Sequence, residues 1–296
     1  MPEHVLIILN QPSVEAPAHD PKAPSFTIAD VGRPQLSVMD LAATRGDGIF
    51  ETLSVCGGYP QAFDHHLARF ARSAAMLDLP VPDLVAWAGA IRAAVLELDA
   101  ADESFVKIVL SRGVEGAEAP TGWVYAAHSP DHAQVRATGI SVVTLDRGYR
   151  HDVASTSPWL LAGAKTLSYA VNKAAMREAA RRGADDVVFV SSDGILLEGP
   201  TSTLVFRRGD TMVTPDHDLG VLDGTTQANL FRFAEARGMH TAFERPTLSE
   251  LLGADAAWLV SSVRLVAPIR RIDAVDVPMD SALTAAMNDD LLGLRE

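Results

Sequence analysis

The sequence predicts an α+β fold (α/β mixed) in two domains, with mixed and antiparallel sheets flanked by helices. Three observations lead there. Strand-like and helix-like segments mix without strict alternation, which argues against a doubly wound parallel sheet. Hairpin signals recur between apolar runs, at Gly57-Gly58, at Asp193-Gly194 and within STLVFRRGDTMVTP. The chain of 296 residues is long for one core, and the polar stretch DRGYRHDVASTSP interrupts it near the middle. The expected division is 1–146 for an N-terminal α/β domain, 147–158 for a connector or active-site loop, and 159–296 for a C-terminal domain.

Each element has a local reason. HVLIIL reads as an opening strand: MPEHVLIILNQPSVE has neither the basic start nor the small-residue cleavage pattern of a signal peptide. GIFETLSVC follows as a strand turning at Gly57-Gly58. In DHHLARFARSAAMLDLP, Leu67, Phe70, Ala71, Ala74 and Leu77 recur at helical spacing, with Asp64 as the expected N-cap. PDLVAWAGAIRAAVLELD reads as a helix opened by Pro82, where a missing N–H does no harm. FVKIVLSRG, GWVYAAH and GISVVTL are rich in β-branched and aromatic residues and read as strands. In the second half, SYAVNKAAMREAARRG is helical and stops at Gly183. DDVVFVSSDGILLEG and STLVFRRGDTMVTP read as hairpins, TTQANLFRFAEARG as a helix and HTAFERP as a strand. LSELLGADAAWLVSS and VRLVAPIRRIDAVDVP close the domain.

Composition narrows the function. With 48% hydrophobic and 21% charged residues and no low-complexity tract, the chain fits a globular enzyme. No apolar run approaches the roughly twenty residues of a membrane span. The net charge of −13 argues against nucleic-acid or anionic-membrane surfaces. The single cysteine, Cys56, cannot form an internal disulfide, so a cytoplasmic setting is expected. The nine histidines show no zinc-site spacing, and metal catalysis is not expected.

Five features carry chemistry. Lys165, in LLAGAKTLSYAVNKAA, sits among small apolar residues at the mouth of the expected helix. There it is either a lysine snorkelling to solvent or a desolvated amine able to form a Schiff base. Glu198, before Gly-Pro in ILLEGPTSTLVF, is either a solvated strand end or a carboxylate that holds a proton on a heteroaromatic nitrogen. Gly224, Thr225 and Thr226 lie where a loop becomes a helix, which suits simple capping or phosphate binding. No GxxxxGK[ST] loop is present. Arg69, and Arg72 three residues on, could reach inward as guanidinium forks or stay on the surface. Ser261 and Ser262 end an apolar strand with two hydroxyls.

In this order the pieces RGDGIFETL (45–53), DHHLARF, FVKIVLSRG, AGAKTLSY, DDVVFVSSDGILLEGPTSTLVF, GVLDGTTQ and AAWLVSS resemble the fold-type IV family of pyridoxal-phosphate enzymes. That family includes branched-chain aminotransferases, D-amino acid aminotransferases and 4-amino-4-deoxychorismate lyases. The resemblance spans nearly the whole chain and makes 159–296 the cofactor-binding domain. It implies that Lys165 carries pyridoxal 5′-phosphate as a Schiff base and that Glu198 faces the pyridine nitrogen. Arg69, Gly224, Thr225, Thr226 and Ser262 are implied around the phosphate. Thr201 and Ser202 are candidates for orienting the ring or a substrate carboxylate. Tyr169 stands four residues after the lysine, where branched-chain members carry a tyrosine at five. Tyr149, Arg147, Arg150 and Arg264 are candidates for a substrate carboxylate.

Two features discriminate among the family's reactions. K-T-L-S resembles the K-x-L-[NS] start of lyases and D-aminotransferases. SRGVEGAEAP lacks the Arg-x-His carboxylate trap of D-aminotransferases. The KTLSYAVN and EGPTST wording also resembles the members assigned to aminodeoxychorismate lyase. The resemblance therefore implies a lyase forming 4-aminobenzoate and pyruvate for folate-precursor synthesis. The alternatives are an aminotransferase acting on D- or branched-chain amino acids and a non-catalytic pyridoxal-phosphate-binding protein. A small-molecule amino substrate and a homodimer are expected partners, nucleic acid and membrane are not.

Overall fold

A computed structural model describes residues 2–295. The chain forms two compact units. One contains the residues up to Pro130, Ala164–Tyr169 and the C-terminal residues from Leu294; the other contains Asp131–Gly163 and Ala170–Gly293.

The first unit is an antiparallel sheet with two long helices. Its elements are β1 (His4–Leu9), β2 (Phe26–Ala29), α1 (Leu41–Thr44), β3 (Gly48–Cys56), β4 (Tyr59–Pro60), α2 (Phe63–Met76), α3 (Leu84–Glu97), β5 (Glu103–Ser111) and β6 (Thr121–His128). The strand order is β2-β1-β6-β5-β3-β4, with every pairing antiparallel. Gly57 and Gly58 take φ of 56° and 84°, the left-handed backbone that a two-residue hairpin needs. Alternate strand residues such as Ile7, Leu9, Val106 and Ile108 are buried, along with Phe70 of α2 and Trp87 of α3. The last two meet edge-to-face, with ring centroids 4.9 Å apart.

Both helix starts differ from expectation. The N-cap of α2 is Ala62, in left-handed backbone without a side-chain cap, and Asp64 falls in the first turn. The carboxylate still lies near the positive end of the helix dipole. Asp83 caps α3, accepting from the N–H groups of Val85 and Ala86, whereas Pro82 precedes the helix and bridges Ser13. A side-chain acceptor that satisfies two orphan donors outranks a residue that merely lacks one.

The second unit contains α4 (Ala133–Thr138), β7 (Ile140–Asp146), α5 (Val153–Thr156), α6 (Ala170–Arg181), β8 (Asp186–Val190), β9 (Thr203–Arg208), β10 (Thr211–Pro215) and α7 (Thr225–Ala236). It continues with β11 (His240–Glu244), α8 (Leu248–Leu252), β12 (Ala256–Ser261), β13 (Leu265–Ile272), β14 (Val275–Asp276) and α9 (Ser281–Gly293). Its mixed sheet runs β11-β10-β9-β12-β13-β7-β8, with β14 on β13. Both faces are covered. Val142 and Val188 enter one apolar cluster while their neighbours Val143 and Val187 enter another. Burial on both faces explains runs such as AAWLV, which show no polar alternation.

The division of the chain differs from the one expected at residue 146. β7 pairs in parallel with β8 and β13, so it belongs to the second unit. Ala164–Tyr169 belongs to the first, because Thr166 bridges Ile49 and Leu167 N–H donates to Gly48 O at 2.8 Å. The hairpin expected after β8 does turn at Asp193-Gly194. Its return arm pairs through the Val190–Leu196 bridge and the Phe189–Leu197 and Phe189–Glu198 hydrogen bonds. No helix of the described residues is long and apolar enough to cross a membrane.

Candidate active site

Lys165 lies outside any helix, beside the Thr166–Ile49 bridge and not at a helix mouth; α6 begins only at Ala170. Its carbonyl accepts from Phe50 N–H at 3.1 Å, and its own N–H donates to Ser73 Oγ at 3.2 Å. The backbone is thus pinned to β3 and α2 while the side chain is half-buried. Nζ stands 4.6 Å from the centroid of the Phe50 ring, a cation–π distance that also limits water on that side. Tyr169 meets the same ring edge-on, at 5.6 Å and 83°.

Arg69 is buried in the same unit. Its Nε and Nη2 donate to Glu51 Oε1 and Oε2 at 2.6 and 2.7 Å, and His66 Nδ1 donates to Glu51 Oε2 at 2.8 Å. His66 and Arg69 are one helical turn apart on α2, and Glu51 points from the middle of β3. Arg72, by contrast, is exposed. Burial pushes the Glu51 carboxyl up, but the Arg69 guanidinium and the hydrogen bonds from Arg69 and His66 outweigh it. The carboxyl is held well below the usual carboxylate range. Burial pushes His66 down, more than the Glu51 carboxylate raises it, and the positive charges of Arg69 and Lys165 add to the fall.

These two groups predict how stability depends on pH. A carboxyl held low in the fold contributes stability above its unfolded value, and that contribution is lost as pH falls. The fold also denies His66 a proton that the unfolded chain accepts below its ordinary value of 6.5, so stability again falls with pH. The urea midpoint, followed by tryptophan fluorescence, is expected to drop below about pH 6.5 and then further through the carboxylate range. The limiting slope is about 1.4 kcal/mol per pH unit per group. His66→Gln is expected to remove the first phase, and a flat midpoint from pH 7.5 to 5 would contradict a neutral His66.

In the second unit, three chain segments converge at one end of the sheet. Glu198 lies on the return arm of the hairpin that follows β8, and its Oε2 accepts from Leu222 N–H at 3.1 Å. Gly224 is the N-cap of α7 with φ −74° and ψ 115° and no side-chain cap. That backbone suits any residue; glycine is required because a Cβ would lie 2.4 Å from Thr203 Oγ1. The close approach seats the start of α7 against β9. Thr225 and Thr226, both buried, open the helix, and Thr225 Oγ1 lies 3.4 Å from Ser262 Oγ. Pairing of Val260 with Thr203 sets Ser202 beside Ser261. Ser202 Oγ is buried without a hydrogen-bond partner, as are both polar atoms of the Gln227 side chain. Helix N–H groups with buried hydroxyls suit a phosphate, and a braced carboxylate suits a protonated ring nitrogen. Within the second unit, the carboxylate and the hydroxyl-lined helix start suit the ring nitrogen and the phosphate of pyridoxal phosphate; in the first unit, Lys165 offers an amine of the kind that binds its aldehyde.

The other candidates have other surroundings. Thr201 is exposed. Tyr149 is half-buried; the Arg147 guanidinium lies 5.3 Å from its ring centroid and 4.7 Å from that of Phe189. Burial pushes the Tyr149 hydroxyl up, Arg147 opposes the rise, and the Glu198 carboxylate adds to it. Arg150 is exposed between Asp152 and Asp193, each at 3.5 Å. Arg264 donates through Nη1 to Asp186 Oδ2 at 2.7 Å. Asp186 is 1% exposed, and without Arg264 it would be an uncompensated buried charge. Sequence reasoning missed Glu51, His66, Asp186 and the Leu222 amide. One signal was available: a glutamate inside the apolar strand IFETLSV, with histidine and arginine at helical spacing in the next helix.

Comparison with known proteins is consistent throughout. Residues 48–272 match the family model described as Amino-transferase class IV. The chain is 44% identical over 263 residues to the bifunctional aminodeoxychorismate lyase / D-amino acid transaminase of Mycobacterium tuberculosis, covering 85% of this chain and 90% of that one. The fold IV-transaminase structure from Curtobacterium pusillum superposes with a TM-score of 0.93 at 52% identity, covering 98% of this chain and 99% of that one. The pyridoxal-phosphate-bound form of a hypothetical aminotransferase from M. tuberculosis superposes with a TM-score of 0.89 at 38% identity, over 98% and 99% of the two chains.

Proposed function

The chain belongs to the Amino-transferase class IV family of fold-type IV pyridoxal-phosphate enzymes, and we propose that it is an aminodeoxychorismate lyase, releasing 4-aminobenzoate and pyruvate. The observation that carries this reading is the segment after β5. A D-aminotransferase of the Arg-x-His type holds its substrate carboxylate there, whereas SRGVEGAEAP offers only Arg112. That guanidinium is already engaged: Nε and Nη2 donate to Asp47 at 2.7 and 3.2 Å, Nη1 to Asp78 O at 2.9 Å and Nη2 to Leu77 O at 2.7 Å. A second reading, D-amino acid transamination, is favoured by the bifunctional mycobacterial relative and the Curtobacterium transaminase.

Bound pyridoxal phosphate supplies an electron sink for charge left on the substrate carbon that bears nitrogen. The chain's residues do the rest. Lys165 would anchor the cofactor, and its Nζ, once freed by exchange with the substrate's amine, would take the proton from that carbon. Phe50, packed edge-on by Tyr169, limits water on one side of the amine. Glu198, braced by the Leu222 amide, holds a proton on the ring nitrogen. The start of α7, with Thr225, Thr226 and Ser262, would bind the phosphate, a role that the family resemblance also implies for Arg69. Ser202 is the hydroxyl left to orient the ring or a substrate carboxylate, whereas Arg264 already serves Asp186. In the lyase reaction, loss of pyruvate makes the substrate's ring aromatic, which drives the step forward. The expected setting is a homodimer in the cytoplasm.

The test is a product assay with the cofactor-loaded protein and freshly generated aminodeoxychorismate. Rapid formation of 4-aminobenzoate is expected. A yellow, loaded protein that forms none, yet transfers the amino group of D-alanine to 2-oxoglutarate, would establish the transaminase reading instead.

A further inference from the structure

We propose that Glu51 and His66 are positioning residues that fix the orientation of the Arg69 guanidinium for the cofactor phosphate, an inference that rests on the phosphate role of Arg69 in the reading above. Glu51 occupies the middle of β3, opposite Ile108 of β5, and is fully buried. An ionised carboxylate there is tolerated only if its oxygens are well partnered. A hydrophobic residue would serve stability at least as well, so the charge asks for another explanation.

The geometry offers one. The carboxylate grips the guanidinium side-on, through Nε and Nη2 at 2.6 and 2.7 Å. Two parallel bonds hold the two planar groups together, so the guanidinium cannot turn about its Cδ–Nε bond without breaking both. The clamp is only as rigid as the carboxylate, and His66 secures that. Its Nδ1 donates at 2.8 Å to Oε2, the oxygen that also receives Nη2, which stops the carboxyl from turning about its own axis. The imidazole and guanidinium leave α2 one turn apart, so one helix face and one strand residue fix three side chains.

Charge and aim predict opposite outcomes. Glu51 neutralises part of the attraction that Arg69 exerts on an anion. Were neutralisation its whole role, removing the charge would strengthen phosphate binding. If Glu51 aims Arg69, removing it weakens phosphate binding.

The measurement is the affinity of the full-length apoenzyme for pyridoxal phosphate and for pyridoxal, which lacks only the phosphate, titrated by absorbance. The ratio of the two affinities reports phosphate recognition and is insensitive to a general loss of stability. Glu51→Gln and His66→Leu are expected to lower the ratio by about tenfold or more, the scale on which supporting residues affect the groups they orient. His66→Asn, which keeps a donor, is expected to recover part of the loss. Glu51→Asp keeps the charge but draws it back by one methylene; it is expected to lower the ratio too, and serves if Glu51→Gln does not fold. A ratio unchanged or raised in the Glu51 variants, while Arg69→Ala lowers it, would overturn the positioning role alone. A ratio unchanged in Arg69→Ala would overturn the phosphate role of Arg69, and the inference with it.

Discussion

Replacing Lys165 with alanine is expected to reduce product formation by at least about 10³-fold, the scale set by losing a group proposed to act both as covalent anchor and as general base. The variant is expected to fold. The main-chain hydrogen bonds of Lys165 to Phe50 and Ser73 use backbone groups that alanine retains. The urea midpoint should therefore stay close to that of the parent while activity disappears. Lys165→Arg makes the same point from another side: it keeps a cation near Phe50 but removes the amine, and it is expected to be equally inactive. The structure also supplies an internal competitor. Lys107 of β5 places its Nζ 5.1 Å from the centroid of the Phe50 ring, against 4.6 Å for Lys165. Borohydride reduction of the loaded enzyme, followed by peptide mapping, is expected to find the cofactor on Lys165. Attachment to Lys107, or persistence of activity in Lys165→Ala, would transfer the central role to the other lysine.

Much of the fold was legible because it is written locally. Apolar residues at alternating or helical spacing mark most of the strands and long helices, and Gly57-Gly58 and Asp193-Gly194 mark turns. Thr225 and Glu198 could be found in the same way, since a loop-to-helix junction and a carboxylate at the end of an apolar arm are features of a few consecutive residues. What escaped was set by partners far along the chain. ISVVTL has the composition of a strand wherever it goes, and only pairing with β8 and β13 assigns it to the second unit. Asp186 finds Arg264 seventy-eight residues away. Glu51 reads as an ordinary polar position on a half-exposed strand until α2 lays His66 and Arg69 over it. Lys165 shows the limit in reverse: the family pattern implies a chemistry for it, but local reading placed it at a helix mouth and not in the irregular segment pinned to β3 and α2.

Glu198→Gln is the second large effect, and it separates charge from shape. Glutamine has nearly the same volume, and its side-chain oxygen can still accept the Leu222 amide that Glu198 Oε2 accepts at 3.1 Å. The α7 junction and the Thr225–Ser262 contact are not touched, so cofactor loading is expected to continue. What is lost, on the role proposed for Glu198, is the negative charge that would keep a proton on the ring nitrogen, and a neutral ring withdraws electrons less well. Losing one preorganised charge of this kind costs about 10²–10³-fold in kcat. A KM within a few-fold of the parent would show that the effect lies in the chemical step and not in binding. Tyr149 and Arg147 sharpen the comparison. Arg147 packs on Phe189, whose backbone pairs with Glu198, but its charge is positive and would oppose a protonated ring nitrogen, not hold it. If Glu198→Gln kept full kcat, negative charge at this position would not control the ring, and the role proposed for Glu198 would fall. Loss in Glu198→Gln with the cofactor still mapped to Lys165 places that control in the carboxylate, at a position whose main chain is held by the β8 hairpin and whose side chain is held by the loop before α7.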